Sequence, residues 1–229
     1  MRRIYLLLAC VVAACTHGRD FAKPTPEALV LGHTTSAEVE GRYGKPYRQS
    51  RAIRSDDGER AGYVPATPFA AALTPGTFAS FTYLYTDTTS KVLYGGAATA
   101  KAIVFIFWND TLVSYNYVST FNDSSSSNFD EGRIAGLKRG EMTRANVIEL
   151  LGEPTGRAIY PQIRDQGTEA FVYDYVQFNR RERQTKTLVI LFGSDGTLQD
   201  FRFGSDDQPI APPATNYTPV PIVLPPVHK

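Results

Sequence analysis

Six runs of alternating apolar and polar positions organise this chain, three in each half: residues 78–86, 101–108 and 111–118, then 170–178, 185–192 and 197–203. Each is rich in aromatic and β-branched residues with a period near two, which predicts a strand with one buried face. Asn109-Asp110 and Gly193-Ser-Asp-Gly196 read as the last hairpin turn of each set, and Gly95-Gly96 lie in a longer loop. Phe81, Tyr83 and Tyr85 share one face of the first run, opposite Thr82, Leu84 and Thr86. Tyr115 and Tyr117 line one face of the third, and Phe171, Tyr173 and Tyr175 repeat the first arrangement. In 101–108, however, Ile103, Phe105 and Phe107 oppose Val104, Ile106 and Trp108, so both faces are apolar. Helices can cover only one of them. The other is expected to present an aromatic patch to a protein partner, where Tyr and Trp are enriched. The candidate partner-binding residues are therefore Tyr83, Tyr85, Trp108, Tyr115, Tyr117, Tyr173 and Tyr175. The alternative is that these rings form the core under the helices.

A second pattern occurs twice, 108 positions apart: Gly32 to Pro46 and Gly140 to Pro154. Thr35 and Thr143, Val39 and Val147, Gly44 and Gly152, and the two prolines fall in register, with Leu29 and Leu137 three residues ahead of each copy. Each copy reads as one short helix with both ends marked. The threonines are N-cap candidates, and Glu38 completes a capping box where Asn146 is a weaker partner. Val39 with Tyr43, and Val147 with Leu151, lie four apart on one face. The glycines suit C-terminal caps and the prolines stop continuation. Further short helices are expected at Pro26 and over 131–137. Nothing in the repeat is chemically reactive, and its duplication predicts related modules in tandem.

The spacing Leu-x-x-Gly-x-Thr-Thr-x-x-x-Val-x-x-x-x-Gly-x-Pro resembles the signature of the SmpA/OmlA (BamE-like) outer-membrane lipoprotein family, with Met142 replacing the first threonine in the second copy. Two such modules in tandem also resemble the β-lactamase inhibitory protein architecture, whose members are thought to bind through a sheet surface. The resemblance implies an α+β fold of two tandem modules, each with two short helices packed on a three- to four-stranded antiparallel sheet. Sequential strands after helices agree with that class.

The N-terminus carries an address. Met1-Arg-Arg precedes an apolar run over 4–14 that is too short to cross a bilayer and ends in Val12-Ala13-Ala14-Cys15. That ending resembles the lipobox of bacterial lipoproteins and implies cleavage before Cys15 and its acylation. Cys10 is a second candidate with a shorter apolar run, and ordinary secretion with cleavage nearby is the alternative. Thr16, rather than Asp, after the cysteine implies the outer membrane by the same resemblance. With Cys15 acylated and Cys10 removed, no thiol remains for a disulfide.

The expected organisation is a signal peptide at 1–14, a tether at 15–23, a first module at 24–120, a Ser-rich linker at 121–128, a second module at 129–207 and a Pro-rich tail at 208–229. Residues 48–76 read as a polar excursion. The tail's Pro content favours an extended segment, either loose or docked on a groove. Removal of 1–14 leaves 22 basic against 23 acidic side chains, a net of −1. A near-neutral chain argues against a nucleic-acid partner. No pair among His17, His33 and His228 has metal-ligand spacing, and no nucleophile or phosphate motif appears. No cofactor and no small-molecule substrate are expected. Asp56, Asp57 and Glu59 form an acidic cluster that reads as a solvated loop rather than an acid–base site. The expectation is a non-enzymatic, lipid-anchored protein of the periplasmic face of the outer membrane. Acylated Cys15 contacts the membrane, and an unidentified envelope protein is bound, in envelope or outer-membrane protein assembly. The alternative is an inhibitor of a periplasmic enzyme such as a β-lactamase or a cell-wall hydrolase.

Overall fold

A computed structural model describes residues 18–54, 74–87, 99–122, 126–179 and 182–209. Cys15, the acidic cluster at Asp56, Asp57 and Glu59, and the tail beyond Pro209 lie outside the described residues.

The chain forms helix α1 (Ser36–Tyr43), strands β1 (Arg48–Arg54), β2 (Gly76–Asp87), β3 (Thr99–Trp108) and β4 (Thr111–Ser119), a 3-10 segment at Glu131–Gly136, helix α2 (Arg144–Leu151), and strands β5 (Gly156–Ile159), β6 (Glu169–Asn179), β7 (Glu182–Phe192) and β8 (Leu198–Pro209). All eight strands belong to one antiparallel sheet in the order of the chain.

The two α-helices are capped alike. Thr35 Oγ1 accepts from the Glu38 N–H at 3.3 Å, and the Glu38 carboxylate accepts from the Thr35 N–H at 2.7 Å. In α2 the Asn146 side-chain oxygen accepts from the Thr143 N–H at 3.0 Å, so the amide closes the box as the carboxylate does. Gly44 and Gly152 end the helices at φ +80° and +85°, where a Cβ would be strained. Each helix is then laced to its sheet. The Gly32 N–H donates to Leu112 O and the Gly140 N–H to Leu198 O, both at 2.8 Å. The Tyr83 and Tyr173 hydroxyls donate to the carbonyls of Gly44 and Gly152 at 2.8 and 2.9 Å. Val39 and Val147 are each fully buried against their own cluster of rings and aliphatic side chains from the strands. Residues 26–28, where a helix is expected, make only a turn.

The α+β expectation of two separate modules is overturned by the sheet. β4 pairs with β5 through Ser114–Ala158, Tyr115–Arg157 and Asn116–Gly156, so one eight-stranded sheet carries only short helices on one face. Gly156 permits this seam. A Cβ there would stand 2.5 Å from Tyr115 O and 3.0 Å from the Asn116 Cα, a contact with backbone that cannot move aside. The polar excursion also contains a strand, because Arg48–Arg54 forms the outer edge of the sheet. Its charged, poorly alternating sequence suits an edge that must not pair indiscriminately.

Two connecting segments are packed rather than loose. Within 121–128, Phe121 stacks on Tyr85 at 6.2 Å, and the Ser127 hydroxyl accepts from the Ser119 N–H at 3.2 Å. Residues 18–23 lie across the fold, as described below.

Candidate binding surface

Strand parity divides the proposed partner-binding residues between two faces. Tyr83, Tyr115, Tyr117, Tyr173 and Tyr175 point to the helix side and are buried in the two cores, which rules them out as a docking surface. The physical reason is the amphipathic helix layer, which needs large apolar partners and covers the aromatic face. Burial pushes the Tyr83 and Tyr115 phenols up to about 12 and raises the Tyr173 phenol further. Tyr85 lies on the same face, half-buried at its open end, with Lys101 Nζ 5.3 Å from its ring centre.

Trp108 alone among the candidates occupies the second face. It is half-buried, and its indole N–H donates to Pro75 O at 3.1 Å. Its ring meets that of Tyr160 edge-on at 5.9 Å. Trp108 is therefore a wedge between the β2 entrance and the segment after β5.

The second face itself is built from side chains that alternate with the buried rings. At the Trp108 end, Ile163 is buried against Ala158, Ala170, Val172 and Val189, a small cluster that closes this part of the face. Further along, Leu84, Val104, Val118 and Val176 are half-buried, and none belongs to a buried cluster of the described residues. One lateral row crosses the whole sheet in register: Arg48, Thr82, Val104, Asn116, Gly156, Val172, Val189 and Arg202. Exposed arginines stand at its two ends, and between them valines flank the polar Asn116 and Gly156, with Thr82 beside Arg48. The row is thus apolar on either side of a polar centre and charged at its rim. It is aliphatic, however, where the sequence predicts aromatic. Of the rings on this face, Phe78 and Trp108 lie at one end and Phe178 at the other.

A polar knot sits where the halves join. Asn116 donates its amide to the Asp174 carboxylate, the Asp174 N–H donates to Thr155 Oγ1 at 2.8 Å, and that hydroxyl donates to Val172 O at 3.0 Å. The second carboxylate oxygen, Asp174 Oδ1, is buried without a hydrogen-bond partner. An unpartnered buried carboxylate oxygen costs stability at this seam.

Two residues that sequence reading passed over are a matched pair of lysines, Lys101 buried and Lys186 half-buried. Lys101 Nζ lies 2.5 Å from Asp20 and 5.3–5.9 Å from the rings of Phe21, Tyr85 and Phe121. Lys186 Nζ lies 3.8 Å from Glu131 and 5.3 and 5.2 Å from Phe129 and Tyr175. Each ammonium is held by a carboxylate and ring faces that replace water. Phe21 and Phe129 stand at the same 108-residue spacing as the helix motif, which is the signal that could have found them.

Among the described residues no three His, Cys, Asp or Glu side chains gather as a metal site, and no helix is long and apolar enough to cross a membrane. An open cleft of about 400 Å³ near β1 holds a hydrogen bond from Ser36 to Asp110 but no histidine to activate the hydroxyl. Comparison of the chain with protein-family models, curated proteins and solved structures finds no match.

Proposed function

We propose that this protein is a lipid-anchored scaffold or accessory of the periplasmic face of the outer membrane, and that it binds a protein partner through the second face of its sheet. The observation that carries the reading is a set of half-buried aliphatic side chains on the face away from the helices, Leu84, Val104 and Val118 in the first half and Val176 in the second, on either side of the polar seam. Apolar side chains that remain outside every buried cluster favour a macromolecular partner over a small ligand. Acylation of Cys15 supplies the membrane attachment, since more than one chain makes such anchoring stable. The near-neutral mature chain fits a protein rather than a nucleic-acid partner.

The anchoring half of this reading is tested by Cys15→Ser and fractionation of intact cells. The wild type is expected in the membrane pellet and the variant in the soluble fraction. A variant that stays with the membrane rejects lipidation as the anchor. The rival reading, an inhibitor of a periplasmic hydrolase, employs the same face and predicts one-to-one loss of that enzyme's activity on addition of purified protein.

A further inference from the structure

The residues that precede the first core are not a free tether. Gly18, at φ +86°, lies so close to β2 that a Cβ would stand 2.1 Å from Leu84 O. Asp20 reaches the buried Lys101 of β3 at 2.5 Å. Phe21 sets its ring against Tyr43 of α1 and Tyr117 of β4 at 6.3 and 6.5 Å. Lys23 Nζ then donates to Glu153 O, beyond α2, at 3.1 Å. The segment thus crosses β2, β3 and β4 in turn and touches the second half of the chain. Its counterpart in the second half, Phe129 with Glu131 on Lys186, is an integral part of that core.

We propose that residues 18–23 are a strap that mounts the fold directly against the bilayer holding Cys15, with the far end of β2, residues 84–87, toward the headgroups. The inference rests on the reading of Cys15 as lipidated. Only Thr16 and His17 separate Cys15 from the packed Gly18. Three steps of extended chain span at most about 11 Å, which is less than half the thickness of a bilayer's hydrocarbon core. A lipidated cysteine therefore keeps Gly18, and with it the Leu84 end of β2, within about 11 Å of the acylated residue at the bilayer surface, and the strap transmits that position to the whole sheet. Thr86 stands at this end beside Thr99, whose hydroxyl donates to Asp87 O at 3.4 Å, and so polar an end suits contact with headgroups rather than insertion. The row Leu84, Ala102 and Val118 becomes the part of the binding face nearest the membrane. The partner that fits a face so mounted is a protein itself seated at the membrane.

The test uses acylated full-length protein purified with its lipid and reconstituted in phosphatidylcholine vesicles. A nitroxide is attached at Thr86→Cys or, for comparison, at the exposed Ile53→Cys. Its relaxation is measured with oxygen, which partitions into lipid, and with a water-soluble nickel chelate. The label at 86 is expected to show an oxygen-to-nickel ratio at least threefold higher than the label at 53. A ten-residue Gly-Ser insertion after Thr16 should abolish the difference, as should the strap-releasing pair Asp20→Asn and Phe21→Ala, while both still sediment with vesicles. Equal ratios at 86 and 53 in vesicle-bound protein of natural length overturn the strap as a mount and leave lipidation standing. Protein that stays in the supernatant overturns the anchor and the mount together.

Discussion

Tyr173 is buried to 1% exposure in the second core, with its ring tilted against Phe129 at 5.8 Å and its hydroxyl donating to Gly152 O at 2.9 Å. Tyr173→Phe keeps the ring and removes one hydrogen bond at a helix end, a loss of about 1 kcal/mol. Gly152 is exposed, so water can take the vacated place and the loss should fall at the lower end of that range. Tyr173→Ala removes the ring as well, and truncation of a large buried aromatic costs about 3–5 kcal/mol. With a urea slope of about 2 kcal/mol per molar, the Ala variant should lower the unfolding midpoint by about 2 M. The decisive readout is the single tryptophan, Trp108, which lies in β3, meets Tyr160 beyond β5, and so reports the first half and its junction with the second. If β4–β5 pairing makes one cooperative unit, Trp108 fluorescence and far-ultraviolet circular dichroism should shift together. A dichroism curve that splits in two while the Trp108 transition stays at its wild-type midpoint would refute the continuous sheet as the folding unit. A total loss below about 1 kcal/mol for Tyr173→Ala would refute the placement of that ring in the core.

The seam and the buried phenols give two further tests. Gly156→Ala drives a Cβ to 2.5 Å from Tyr115 O, and overpacking against backbone should cost about 1–3 kcal/mol, read as a lowered midpoint in urea with faster amide exchange across β4 and β5. Tyr83 and Tyr115 titrate near 12 in the fold against an ordinary value of 10, because burial disfavours phenolate. The folded state therefore keeps protons that the unfolded chain releases above pH 10. Their contribution is complete below pH 10 and is lost as pH rises toward 12, so the urea midpoint should hold between pH 7 and 9 and fall steadily from 10 to 12.

Much of this architecture is local and was therefore readable. A threonine, a partner three residues on and a glycine set each helix without help from the rest of the chain, and aromatic alternation marks six of the eight strands. β1 and β5 escape for different reasons. Arg48–Arg54 buries little because it is an edge, so it carries no clean apolar period. Gly156–Ile159 has four residues, and its place is decided by how closely Gly156 approaches β4, a tertiary fact. Missing β5 is what made one sheet look like two modules. The partner-binding tyrosines were misplaced by a similar gap. Parity shows which residues share a face, but only the packed helices show which face they cover. The strap was legible in part, since Phe21 and Phe129 keep the repeat spacing, whereas the pairing of Asp20 with Lys101 depends on the folded sheet.

The central claim is that the second face of the sheet, and not the helix face, meets the partner. The direct measurement places a photoreactive amino acid in turn at Val104, at Val176 and at the exposed Glu149 of α2, followed by irradiation of intact cells. The claim predicts the same discrete adduct from 104 and 176, its loss when Val118 is replaced by Lys in a chain that still folds, and no adduct from 149. An adduct from 149 with none from 104 or 176 would contradict it.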